Sequence, residues 1–183
     1  MAHARHLLAL GLGAGLALAC GGPEGSAPDA GPRDVAVPEG ELFDPGGWTA
    51  VSADADPFGD RPAEVACHVG GYGPEGLVFE VETDICGYVT ATQALAAPVP
   101  AGAHLTSVVW HLALTNEAPA TGHIALRVGE HLVFEARPQI PGPEAFYTID
   151  WTVPEDLPAG TPAYFHVHNH GYNSYRLGPV EAK

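Results

Sequence analysis

The stretch "SVVWHLAL", residues 107–114, decides how this chain folds. Val108, Trp110, Leu112 and Leu114 recur at every second position, the period of a β-strand, whose successive side chains point to opposite faces. A helix would instead repeat its apolar residues three and four apart. On this reading the four apolar residues face a core and His111 lies opposite them. The same period runs through "LVFEVE" (77–82), "HIALRV" (123–128), "HLVFEA" (131–136) and "YTIDWTV" (147–153). There Phe79 and Val81, Ile124 and Leu126, Leu132 and Phe134, and Ile149 and Trp151 are predicted to share a face within each strand. Gly- and Pro-rich stretches such as "PAGAH", "IPGPE" and "PEDLPAGTP" separate the strands with turn chemistry. Beyond the first 20 residues no stretch sustains a helical period. Short strands at near-regular spacing predict an all-β antiparallel β-sandwich, a jelly roll.

One strand carries unusual chemistry. In "YFHVHNHGYN" (164–173), Phe165 and Val167 belong to the core face. Tyr164, His166, His168 and His170 then point outward or toward a second cavity. Histidines two apart on a strand lie about 7 Å apart at the backbone, so the rings of His166 and His168 can converge on one ion. His170 lies about 13 Å from His166 on an ideal strand and joins them only if the chain bends at Gly171. Imidazole suits Zn or Cu, not Ca or Mg. A third ligand must come from another strand. His111 is the first candidate, with His104, His123 and His131 also available. The bland alternative is a solvated strand face.

The segment "AYFHVHNHGYNSYRLG" (163–178) resembles the HxH copper segment of the copper- and ascorbate-dependent monooxygenases that hydroxylate peptidylglycine. The resemblance implies a jelly roll and a copper held by two histidines and a methionine, with His166 and His168 as the imidazole ligands. The methionine is missing from the pattern: the one methionine of the chain is Met1.

The N-terminus reads as export machinery. Arg5 precedes an uncharged run from Leu7 to Ala19, too short to span a bilayer and suited to the h-region of a signal peptide (1–19). The run ends in "LALAC", which resembles a bacterial lipobox, with Ala17 where that family usually has leucine. The resemblance implies cleavage before Cys20 and lipidation of that cysteine. Several acyl chains on one residue anchor stably where one alone does not. The chain is then expected in a bacterial cell envelope, tethered to the membrane by lipid, with the outer membrane favoured. Residues 20–47, rich in Gly, Pro and acids, read as a flexible tether. A single domain is predicted over 48–183.

Charge narrows the partners. The formal net charge is −15, and loss of Arg5 with the signal leaves six basic residues against 22 acidic, or −16. Such a chain repels phosphate backbones, which argues against nucleic-acid binding. With Cys20 assigned to lipid, Cys67 and Cys86 remain to form a disulfide in an oxidising compartment.

Two further clusters carry candidate binding chemistry. The loop "DADPFGD" (54–60) departs from an EF-hand, with Phe58 at the fifth position and Val65 where the bidentate glutamate belongs, but Asp54, Asp56 and Asp60 could form a structural Ca site. Tyr172 and Tyr175, in loop-like surroundings, could stack on sugars as in carbohydrate-binding modules. Glu80 and Glu82 sit on a polar strand face, where solvated carboxylates are the ordinary expectation. No nucleophile elbow, HExxH or phosphate loop occurs. The reading is therefore a non-catalytic binding domain with a transition-metal site. A carbohydrate-binding module and a copper monooxygenase-like enzyme are the alternatives, and the identity of any small ligand, glycan or protein partner is left open.

Overall fold

The computed structural model describes residues 36–183. The expected signal peptide, the lipobox with Cys20 and most of the tether lie outside the described residues. No helix among the described residues is long and apolar enough to cross a membrane.

The strands are β1 (Thr49–Ala50), β2 (Tyr72–Glu75), β3 (Val78–Glu82), β4 (Tyr88–Ala94), β5 (His104–His111), β6 (Ala120–Thr121), β7 (His123–Val128), β8 (His131–Ala136), β9 (Gln139–Ile140), β10 (Ala145–Thr152), β11 (Pro162–His168), β12 (Ser174–Leu177) and β13 (Glu181–Ala182). All pairings are antiparallel. One sheet runs β1-β4-β11-β7-β8 and the other β10-β5-β12-β3-β2, with β13 continuing alongside β5. The pairs nest: β3 with β12, β4 with β11, β5 with β10, closing in the β7–β8 hairpin. A long hairpin rolled over itself in this way is a jelly roll. The core lies between the sheets, with Phe79, Val81, Leu105, Val109 and Leu177 from one and Ala91, Ile124, Leu126, Phe165 and Val167 from the other.

Three placements differ from the sequence reading. The first concerns β5. Leu105, Val109 and His111 face the core, while Val108, Trp110 and Leu112 face out. Each alternating set of this strand holds two apolar and two polar residues, so periodicity alone could not orient it; the inward Tyr175, Leu177 and Ile149 of the strands flanking it do. The second concerns β8. A bulge opposite Leu126/Arg127 pairs Phe134 with Leu126 and Leu132 with Arg127. The extra residue, Val133, puts Leu132 and Phe134 on opposite faces.

The third concerns the domain boundary. Residues 41–47, assigned to the tether, are part of the fold. Leu42 is 1% exposed and donates its N–H to Val180 O (2.8 Å). Phe43 packs on Trp48, and Trp48 on Phe79. A single bulky pair in a Gly/Pro-rich stretch carries no period, which is why composition hid it. The Cys67–Cys86 disulfide is formed and closes the chain across the β2–β3 hairpin.

A histidine–aspartate cluster beneath the 53–61 loop

The outer face of the five-stranded sheet is not bare. Register places Tyr88 and Thr90 of β4 opposite His168 and His166 of β11, and places His123 of β7 opposite His168. Over this face lies the loop 53–61. Phe58 stacks on the His166 ring with centroids 4.2 Å apart and planes 19° apart. Tyr88 presents its ring edge-on to both His166 and His168. His166 is consequently 0% exposed, although it points away from the core.

Two aspartates pin the loop. Asp56 accepts four hydrogen bonds: from Phe58 N and Thr90 Oγ1 on Oδ1, and from Tyr88 OH and Arg61 on Oδ2. Burial opposes its ionisation, but these donors hold it below the usual carboxylate range. Asp60 reaches the histidines. Its Oδ2 lies 2.7 Å from His123 Nδ1 and 3.1 Å from His168 Nδ1, and its Oδ1 lies 3.3 Å from His166 Nε2. Burial would raise its carboxyl, yet the hydrogen bonds from His123 and His168 hold it well below that range.

The protonation of His166 can be worked out from its partners. The Asp56 carboxylate can only accept, so the Thr90 hydroxyl donates to it. Thr90 Oγ1 must therefore accept from His166 Nδ1–H, 2.9 Å away. Burial pushes the His166 pKa down to about 4 against the attraction of Asp60, so the ring is neutral near pH 7. Its Nε2 then carries a lone pair. That lone pair faces Asp60 Oδ1, and both atoms are buried without a hydrogen-bond partner. Two buried acceptors in contact repel each other and forgo solvation, at a cost of about 1–3 kcal/mol per unsatisfied group. A cation between them removes both penalties. Ligand atoms about 2.0–2.1 Å from one ion subtend a near-tetrahedral angle at a separation of 3.3 Å.

Asp60, His123 and His166 each offer a ligand atom, all within 4.8 Å of one another. The far nitrogens are also provided for. His166 Nδ1 is held by Thr90, itself oriented by Asp56, and His123 Nε2 lies 2.9 Å from Glu135 Oε1 and 3.4 Å from Arg137 Nη2, so that an ion would replace the proton His123 Nδ1 shares with Asp60. Metal-bound histidines take such outer-shell partners, which fix the tautomer that presents the other nitrogen to the ion.

The sequence candidates fall as follows. His166 and His168 both reach Asp60, though His168 stands at the margin of the cluster. His170 is exposed, beyond the end of β11 and next to Gly171, whose φ is +113°. A side chain at that position would strike Thr115 O, so glycine is required for the bend, but the bend does not bring His170 to Asp60. His111 lies on the inner face of the other sheet, across the core from His166. Its Nδ1–H donates to Leu112 O, and Tyr147 OH donates to its Nε2. It is a satisfied core histidine and no ligand here. His104 and His131 pair with Asp150 and Glu155 at the surface. A calcium site on Asp54, Asp56 and Asp60 does not fit: Asp56 is saturated by donors, Asp54 is exposed, and Asp60 turns to imidazoles. Tyr175 is 0% exposed, its hydroxyl donating to Asn169, and cannot stack on a ligand, whereas Tyr172 is exposed. Thr90 and Glu135 have no local spacing that connects them to β11, and His123 ranked only among the alternatives to His111 for the same reason. The polar His123 opposite the apolar Ile124 and Leu126 was the one available hint.

No protein-family model and no curated protein matches the chain. Among solved structures it is similar to a CBM4 structure at 13% identity and TM-score 0.38, covering 65% of this chain and 79% of that one. It is similar to the K1 cleaved adhesin domain of Lys-gingipain from Porphyromonas gingivalis W83 at 20% identity and TM-score 0.38, covering 76% and 91%. The N-terminal cellulose-binding domain of Cellulomonas fimi beta-1,4-glucanase C gives 11% and 0.35, covering 65% and 86%. At these scores none of them bears on what this chain binds.

Proposed function

We propose that this is a non-catalytic binding domain of a lipid-anchored envelope protein, whose outer sheet face takes one transition-metal ion at Asp60, His123 and His166. The observation that carries the reading is the buried, unpartnered pair His166 Nε2 and Asp60 Oδ1. Two imidazoles and a carboxylate suit Zn(II) or Cu(II). The third ligand is a hard carboxylate in place of the thioether of the copper monooxygenases, and thioether is the donor that favours Cu(I). The donor set therefore supports binding over copper-based oxygen chemistry.

Metal analysis of protein purified without an affinity tag is expected to find about one equivalent of Zn or Cu, and its absence after incubation with either metal would sink the reading. Thr90→Val should weaken Zn(II) binding by about 10–100-fold, as loss of an outer-shell partner does, because it orphans His166 Nδ1–H. Thr90→Ser should restore the affinity. The lipid anchor is tested separately: Cys20→Ser should move the protein from the membrane fraction to the soluble one.

A second reading has its own observation. Trp110 and Phe146 lie on the outer face of the other sheet with rings 11° from parallel and centroids 6.4 Å apart, and Phe146 is 66% exposed. Trp110 borders a groove of about 540 Å³ whose polar wall includes Thr106, Asp150 and Glu181. Flat rings beside hydrogen-bonding groups suit a sugar face. If a glycan binds there, Trp110→Ala should weaken it by about 10-fold or more, on the order of the energy of one aromatic contact. Unchanged binding in that variant would remove this reading.

A further inference from the structure

The metal cluster forms the floor of a cavity of about 420 Å³. Asp60 and His123 belong both to the cluster and to the cavity wall, while His166 lies wholly beneath them. Three protein ligands leave a fourth position on a tetrahedral ion. With His166 below and the other two ligands in the wall, that position faces the cavity.

The wall has an unusual charge for this protein. Residues 36–183 contain five basic side chains, and two of them, Arg127 and Arg137, line this cavity. Against them stand Asp60, Glu130 and Glu135. The wall thus carries three negative and two positive formal charges, a balance of −1. A divalent ion on the cluster turns this to +1, in a chain that is otherwise strongly acidic. Arg137 is half exposed and sits 2.9 Å from Glu135 and 3.4 Å from His123 Nε2, whereas Arg127 is 22% exposed and donates to the backbone oxygens of Pro57 and Glu130. The exposed Arg137–Glu135 pair holds its partner weakly, so that guanidinium fork can turn to a ligand, and Arg127, though held by two backbone carbonyls, keeps a buried Nε without a partner. A guanidinium fork matches the geometry of a carboxylate or phosphate. The volume suits a small ligand.

We infer that the metal-loaded cavity binds a small oxyanion, a carboxylate or phosphate group that completes the coordination of the ion and pairs with Arg127 and Arg137. This rests on the metal reading above, and the test separates the two. Co(II) is titrated into the full-length protein and followed by its visible absorption, and inorganic phosphate or acetate is then added to the loaded and the metal-free protein. The expected result is one equivalent of Co(II), then a saturable spectral change with at least one anion, and no calorimetric binding of either anion without metal. Which of the two acts distinguishes phosphate from carboxylate. Arg127→Gln, which touches no ligand of the ion, should weaken the anion about 10-fold or more, while Co(II) affinity stays within about threefold. If Co(II) binds with full occupancy and neither anion alters its spectrum, the oxyanion inference is overturned and the metal site stands. If Co(II) does not bind, both fall. Equal anion affinity with and without metal also overturns the inference, because the charge reversal would then be irrelevant.

Discussion

His166→Ala is expected to lower Zn(II) affinity by more than the 10–100-fold that outer-shell partners contribute, because it removes a ligand and not merely its support. The side chain has no substitute within reach: His168 faces the other oxygen of Asp60, and His170 is beyond the strand. Thermal melts make the same point differently. Zn(II) at about 100 times its Kd should stabilise the native protein by about 2.7 kcal/mol through mass action, whereas the variant should show no such gain. Without metal the variant should lose less than a fully buried ring ordinarily would. Its removal opens a void under Phe58, but it also ends the contact between two unpartnered acceptors. A variant that kept metal-dependent stabilisation would show that the ion, if bound, sits elsewhere. His166→Gln, which retains volume and polarity, guards against a result caused by misfolding alone.

The second large effect concerns the cross-link. Replacing Cys67 and Cys86 by serine should cost about 3 kcal/mol, the loop-closure contribution for a bridge of this span. The sequence separation is 19 residues, and the enclosed segment carries the β2–β3 hairpin at the edge of the six-stranded sheet. In the native chain this edge hairpin has little else to restrict it when unfolded. For a domain of this size the melting temperature should fall by about 10 °C. Urea unfolding in the presence and absence of reductant checks it: a native protein insensitive to reduction would mean that the bridge adds nothing.

The strand architecture was legible because alternation is a local property. Ile124, Leu126, Phe165 and Val167 need no partner to reveal a two-residue period, and all four are in the core. The β5 strand shows where this fails. With Val108 and Trp110 on one face and Leu105 and Val109 on the other, either face could be buried, and its neighbours in the sheet decide. The bulge at Val133 likewise depends on pairing with β7, which leaves no trace in the composition of β8. The same limit governed the site. The HxH pair was visible, and the step to His111 followed from the mistaken orientation of β5.

By itself, the sequence determined a sandwich of antiparallel strands, a disulfide between two of its three cysteines, and a polar strand face at His166 and His168. Only the tertiary structure decided what meets that face. The nested pairing brings His123 from 43 residues away onto the neighbouring strand, and the 53–61 loop crosses over both to deliver Asp60 and Phe58. Periodicity tells which way a side chain points from its own strand. Which distant loop covers it is settled by the folding of the whole ribbon, and it is that cover that turns an outward histidine into a buried one with a lone pair to share.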